Sequence, residues 1–324
     1  MPARTSVKIY HGYGHTHDLI VFGHVFRKLP SPRLKYSNNI FRNSFELLRL
    51  FFVKPVPRIV VRLTWYDQLL ETSTEDDGFF KFEWKATHEV AAGWHRVEVQ
   101  SLDEQGSVDA AGEGMVFIPH STQYAFISDI DDTIMISHSA TIGRRLKELF
   151  IKNPHTRSIF PGVDEHYELL AAAHTTPAAP NPFFYVSSSE WNLYDYLHDF
   201  FDFHSLPEGA FLLNQVKRWF ELLKTGKTKH SGKLLRILRI LRAFPKQKFI
   251  LFGDNTQQDP SIYATLAERY PQQIVAVYIR NIVPAHQANA KQFLSAIEQR
   301  GISTCLFNDS FEAIAHSRKI GLIE

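Results

Sequence analysis

The apolar residues of the chain keep one rhythm up to about Pro119 and another after it. In the first stretch, short runs rich in β-branched and aromatic residues (19–26, 58–65, 79–85, 94–99 and 114–118) are separated by turn signals such as Asp77-Gly78 and Glu104-Gln105-Gly106. Such runs predict strands, and their succession predicts an antiparallel β-sandwich. One segment breaks the pattern: over 38–52, Phe41, Phe45, Leu48 and Phe52 share a stripe at helical spacing, which predicts an inserted helix. After Pro119, strand-like runs at 124–130, 183–187, 248–253, 274–279 and 304–307 alternate with helical stretches near 142–152, 162–174, 190–201, 232–243, 260–269 and 286–299. Alternation of this kind predicts an α/β fold, a parallel sheet covered by helices on both faces. At 324 residues the chain is long for one domain, and the expected division is a sandwich over 1–119 and an α/β domain over 120–324.

Composition adds limits. With 44% hydrophobic and 22% charged residues the chain can build an ordinary core. The single cysteine, Cys305, excludes an intrachain disulfide and a multi-cysteine metal site, and it suits a reducing compartment. No apolar run approaches the ~18 residues that span a bilayer, and the N-terminus has no stretch of signal-peptide length. A soluble cytoplasmic protein is expected.

Charge is segregated. Residues 1–60 hold ten Lys/Arg against two acids, 61–119 four against twelve, and 214–248 eleven against one. Such blocks ordinarily form solvated faces; the alternative is guidance toward an anionic substrate or peripheral contact with an anionic membrane. The stretch 232–243 sets Arg236, Arg239 and Arg242 along one face with leucines behind, which predicts a surface helix covering the sheet. The basic charge comes without a recognisable nucleic-acid motif, so no nucleic-acid partner is expected. His11, His15 and His17 sit in a glycine-rich turn context that completes no ligand set.

Ligands of open parallel sheets bind beyond the carboxyl ends of the strands. There the chain places Asp129-Ile130-Asp131-Asp132-Thr133, Ser187-Ser188-Ser189, Lys233 at the opening of a helix, and Gly253-Asp254 with Asp259 five residues on. A carboxylate at a strand tip can attack phosphorus and become phosphorylated, and a second one two residues later can protonate the leaving group and then activate water. Several carboxylates in one place call for a cation, and Mg²⁺ takes oxygen ligands. Ser187 offers a hydroxyl and Lys233 a positive charge to the remaining phosphate oxygens. Ser187 through Glu190 has the form of a capping box, which predicts a helix N-terminus facing the anion. Lys229 is a rival for the lysine role; Lys233 is preferred because it opens the helix.

These four stretches, in this order, resemble the signature of the haloacid dehalogenase superfamily: DxDxT, an apolar strand ending in Ser, a Lys before a helix, and GDxxxxD. The wording FISDIDDTI, FFYVSSSEWNLY, FPKQKFILFGDNTQQDPSIY and VYIRNI resembles the actin-patch-protein type of phosphatidate phosphatase, over roughly residues 124–324. The resemblance implies a Rossmann-like catalytic domain with a small cap between 134 and 182, and a Mg²⁺-dependent phosphatase acting on phosphatidate or a related phosphomonoester. It implies Asp129 as nucleophile and Asp131 as acid/base. Thr133, Ser187, Ser188 and Lys233 become the phosphate-binding candidates. Asp129, Asp254, Asp259 and Asp131, the last through its backbone carbonyl, become the metal ligands. Two departures stand out: Glu190 where the family often has Pro, and Asn255 where it often has Ser.

Overall fold

The computed structural model describes residues 5–28, 45, 48–137, 152–215 and 229–324. The front half forms β1 (Ser6–Ile9), β2 (Gly12–Gly14), β3 (Asp18–Phe26), β4 (Val60–Trp65), β5 (Gln68–Ser73), β6 (Phe79–Lys85), β7 (Gly93–Leu102) and β8 (Val108–Ile118). Hydrogen bonding joins all eight into one sheet: β6 borders β3, β3 pairs with β1 and β2, and β8, β7, β4 and β5 follow. The sheet folds over on itself, so that Trp65 of β4 and Trp84 of β6 meet in one core at 5.6 Å although their strands are far apart in the pairing order. The predicted sandwich is therefore one continuous, folded sheet. Three strands escaped the reading, because β1 and β2 are short and β5 is half exposed along its length.

The helix predicted over 38–52 lies mostly outside the described residues. At its end, Leu50 and Phe51 enter the core, whereas Phe45 and Phe52 of the predicted stripe are exposed and Leu48 is half-buried. The helix predicted over 142–152, with Arg144, Arg145 and Lys147 at the start of the cap, also lies outside the described residues except for Lys152, which is not helical.

The back half forms a second sheet from β9 (Tyr124–Ser128), β10 (Phe183–Glu190), β11 (Gly209–Asn214), β12 (Lys248–Asp254), β13 (Ile274–Arg280) and β14 (Ser303–Phe307). Every pairing is parallel and the order is β11-β10-β9-β12-β13-β14. The helices are α1 (Val163–Ala172), α2 (Tyr194–Phe203), α3 (Lys229–Ala243), α4 (Asp259–Arg269), α5 (Gln287–Glu298) and α6 (Ser310–Lys319). The central strands are unbroken apolar runs because both faces are covered. β11 was not predicted; a six-residue apolar run has no period that separates strand from helix. From β9 the chain grows outward through β10 and β11, then crosses back to β12 beside β9. The crevice between the carboxyl ends of β9 and β12 is thus the topological switch point.

β3 joins the halves. Leu19, Val21 and Val25 face the front core, while Ile20 and Phe22 belong to the core of the back half. Tyr10 stacks on Trp191 at 4.1 Å and donates to or accepts from His24 Nδ1 at 3.0 Å. The accompanying ion pair, Lys8 to Asp195, is partly exposed and contributes no more than about 1 kcal/mol. Buried aromatic area, with about 0.5–1.5 kcal/mol more for each ring pair, holds this seam. α3 also faces the seam: Arg239 lies 5.8 Å over the Phe22 ring and 3.8 Å from Glu83. The basic face predicted to be solvated is turned partly toward the acidic front half. Among the described residues, no helix is long and apolar enough to cross a membrane.

Candidate active site

Asp129 follows β9 directly, its N–H donating to Phe252 O of β12 at 2.9 Å. The chain then turns sharply, with Asp132 at φ 61°. On the other side of the crevice Asp254 ends β12 and Asp259 begins α4. Asp259 returns to the strand end, accepting from Asp254 N–H at 3.3 Å. Gly253 permits this return: a Cβ there would lie 2.5 Å from Asp259 Oδ2. Asp129, Asp254 and Asp259 are all buried and each offers an oxygen within 4.8 Å of the others.

Among the described residues, one cation makes ion pairs with them. Lys233 Nζ, buried, lies 2.8 Å from Asp129 Oδ1 and also binds Asp259 Oδ1. α3 begins at Lys229, so Lys233 sits one turn inside the helix and does not open it; its burial and its two carboxylates single it out, while the Lys229 side chain lies outside the described residues. Burial would lower the Lys233 pKa, but Asp129 and Asp259 outweigh it and hold the ammonium charged. Burial pushes Asp129 up to about 7, with Lys233 opposing and Asp259 and Asp131 adding to the rise. Burial raises Asp254 well above its ordinary value, and Asp259 and Asp129 add to it. One ammonium does not neutralise three carboxylates. Asp129 Oδ2 and Asp254 Oδ2 are sealed from solvent without a hydrogen-bond partner. An all-oxygen set with two such atoms fits a small, hard divalent cation.

Asp131 faces elsewhere. Its Oδ1 accepts from Ser137 Oγ at 2.7 Å, and its Oδ2 from Ser189 Oγ at 2.8 Å and Ser187 Oγ at 3.2 Å. The carboxylate of Asp131 thus stands outside the Asp129–Asp254–Asp259 group. Ser187 Oγ also accepts from Ser189 N–H at 2.9 Å. The capping box is not formed: β10 runs on through Glu190, α2 starts only at Tyr194, and no side chain caps it. The serines turn inward to Asp131 instead. Ser188 Oγ points to Gln257 at 3.5 Å, and Thr133 Oγ1 is buried without a partner.

Residues 124–281 match the family model described as phosphatidate phosphatase APP1, catalytic domain. Phosphatidate phosphatase APP1 of Saccharomyces cerevisiae is 34% identical over 169 residues, 49% of this chain and 27% of that protein. An uncharacterized protein of Schizosaccharomyces pombe is 27% identical over 161 residues, 49% of this chain and 25% of that protein. Over this segment the chain is similar to the catalytic domain of phosphatidate phosphatase APP1. It spans about a quarter of the length of these curated relatives. Among solved structures, a Lactobacillus rhamnosus β-glucuronidase aligns with 93% of this chain and 53% of its own at 8% identity and a TM-score of 0.28, too low to carry an argument.

Within the matched segment the structure shows what Asn255, one of the two departures, does, and adds Arg280, which sequence reasoning missed. Asn255 ties the loop after β12 to the loop after β13: its Oδ1 accepts from Ile282 and Val283 N–H at 2.8 and 2.9 Å, and its Nδ2 donates to Asn281 Oδ1 at 2.7 Å. A serine could not span both loops. Arg280, buried between the rings of Phe160 and Phe307, donates to Thr133 O at 3.0 Å and so props the loop that carries Asp129 and Asp131. The quoted VYIRNI contained it, but nothing in its spacing marked it. The histidine group does not assemble: His15 pairs with Asp18, and His11 lies between Trp94 and Tyr194, its pKa lowered to about 4 by burial.

Proposed function

We propose that the chain is a phosphoric monoester hydrolase of the haloacid-dehalogenase type, acting on phosphatidate or a related phospholipid monoester. One observation carries this reading: a buried carboxylate group, short of positive charge, stands at the switch point of a segment that matches a phosphatidate phosphatase catalytic domain.

Asp129 is the nucleophile. Its carboxylate forms a bond to phosphorus while the bond from phosphorus to the alcohol oxygen breaks. Asp131, protonated for this step, gives its proton to the departing alkoxide. Asp131, now a carboxylate, takes a proton from water, which attacks the acyl phosphate. Inorganic phosphate leaves and Asp129 is regenerated. Lys233 holds Asp129 and Asp259 in place and supplies positive charge at the phosphate oxygens, with hydroxyls of Ser187, Ser188 and Thr133 around them. Asp129, Asp254 and Asp259, with the Asp131 carbonyl, would hold Mg²⁺, which when bound supplies charge neutralisation and a fixed position for the phosphate. Peripheral contact of the cytoplasmic protein with an anionic membrane belongs to the same reading, since a lipid substrate lies there. The division into a front domain over 1–119 and a catalytic domain over 120–324 is part of it as well.

The test is turnover of short-chain phosphatidate in micelles against sugar and inositol phosphates, with Mg²⁺ and with chelator. Phosphatidate turnover that requires the cation and Asp129 supports the reading. Preference for a soluble phosphate would move the substrate class, and turnover unchanged in Asp129→Asn would refute the mechanism. A liposome co-sedimentation assay without dependence on anionic lipid would remove the membrane contact.

A further inference from the structure

After the Asp131–Asp132 turn the chain runs beside residues 157–160 as a short antiparallel pair. Met135 bridges Ile159, Ile136 N–H donates to Ser158 O at 3.1 Å, and Phe160 N–H donates to Ile134 O at 3.0 Å. Continuing that register by two residues sets Ser137 opposite Arg157, on one face of the pair. The side chains meet as the register requires: Arg157 Nη2 donates to Ser137 Oγ at 3.0 Å. Ser137 Oγ in turn donates to Asp131 Oδ1 at 2.7 Å, and Ser137 N–H donates to Asp132 Oδ1 at 2.9 Å.

Arg157 is 3% exposed and Ser137 fully buried, a costly place for a guanidinium. No carboxylate among the described residues lies within ion-pair distance of Arg157. Its backbone is fixed on both sides. Asn153 Oδ1 accepts from His155 and Thr156 N–H at 2.9 and 3.0 Å, and His204 Nε2 bonds Arg157 O at 2.9 Å. The backbone is therefore held, while the Arg157 Nε is buried without a partner and Nη2 bonds Ser137 Oγ; that hydroxyl is one of three that grip Asp131.

We infer that Arg157 is a positioning residue for Asp131, acting through Ser137. A serine hydroxyl can turn freely and has one hydrogen to donate. With Arg157 donating into its lone pair, that hydrogen has two acceptors in reach, Asp131 Oδ1 at 2.7 Å and Met135 O at 3.2 Å, and the shorter contact directs it to Asp131. Asp131 is then held at Oδ1 by a hydroxyl that is itself fixed, and at Oδ2 by Ser187 and Ser189 from β10. This aim matters for a group that must meet first a leaving oxygen and then a water. The inference rests on the reading of Asp131 as acid/base.

The experiment is a double-mutant cycle in the full chain, with Arg157→Gln, Ser137→Ala, the double variant and Arg157→Lys, each checked for folding by its thermal transition. With short-chain phosphatidate and Mg²⁺, each single change should lower kcat between about 10- and 100-fold with KM within about twofold. Phosphoenzyme should accumulate, because the second step needs Asp131 as base. The double variant should be no worse than Ser137→Ala alone, and Arg157→Lys should recover part of the loss. Losses that multiply, or an unchanged kcat, would overturn the inference. A second readout does not depend on turnover. The Asp131 carboxyl ¹³C resonance, assigned by its disappearance in Asp131→Asn, should move in Arg157→Gln and not move further when Ser137 is already alanine. If the wild type shows no Asp129-dependent turnover, the functional reading fails while the resonance still decides whether Arg157 acts on Asp131. A resonance indifferent to Arg157 overturns the inference even in an active enzyme.

Discussion

Two carboxylates stand two residues apart and live in opposite conditions. Asp129 is bound to a lysine, crowded by Asp254 and Asp259, and has one oxygen without any partner. Asp131 is ringed by hydroxyls from Ser137, Ser187 and Ser189. The first site lacks positive charge and can be completed by something that arrives from outside. The second is supplied by the chain itself and is held in one attitude. The two aspartates thus differ not in residue type but in what the fold brings to each, which is what the proposed roles of nucleophile and acid/base require.

Substitutions can break that contrast. Asp129→Asn removes the attacking group and should cost at least about 10⁴-fold in kcat, with no phosphoenzyme detected after quenching. Asp131→Asn should cost about 10²–10⁴-fold but leave a phosphoenzyme that accumulates, which separates the two roles in one gel. Equal losses without an intermediate in both would erase the distinction. Asp254→Asn should weaken Mg²⁺ binding by at least about 100-fold by calorimetry. It should also raise the melting temperature in chelator, since it replaces a buried carboxylate that has an unpartnered oxygen. A fall in chelator would show that Asp254 is not short of charge.

The last effect is a matter of pH. In the folded, cation-free protein Asp129 keeps its proton up to about pH 7, whereas an unfolded aspartate loses it near ~4. The unfolded state therefore binds fewer protons across that window, and the chelated protein should lose stability as pH rises through it. Mg²⁺ displaces the proton, so its affinity should fall as pH drops below about 7, by up to about tenfold per unit for each proton displaced. Affinity independent of pH between 5 and 7 would mean that Asp129 is not a ligand.

Much of this site was legible before any coordinates. Strand-end acids follow from an apolar run stopping at a polar residue, and Asp129 and Asp254 stand at the ends of β9 and β12 with Asp259 beside them at the start of α4, whereas Ser187 lies inside β10, which runs on through Glu190. What it missed depends on partners remote in sequence. Ser187 to Glu190 has the local form of a cap, but Asp131, more than fifty residues away, claims the hydroxyls. Arg157 sits in a non-periodic segment, and only the register with residues 134–137 reveals it. Arg236 and Arg239 read as a solvated face because their partners were invisible from the helix itself: Arg236 donates to Ser187 O at 3.1 Å, and Arg239 meets Phe22 and Glu83 of the front sheet.

β3 carries a consequence for handling the molecule. Its alternate side chains serve two different cores, and Tyr10 lies flat on Trp191, just beyond Ser187 and Ser189, which grip Asp131. A fragment cut where the family match begins, at residue 124, would lay that seam open to water just behind the catalytic loop. The two sheets should melt in a single calorimetric transition; two separate transitions would make the halves independent folding units.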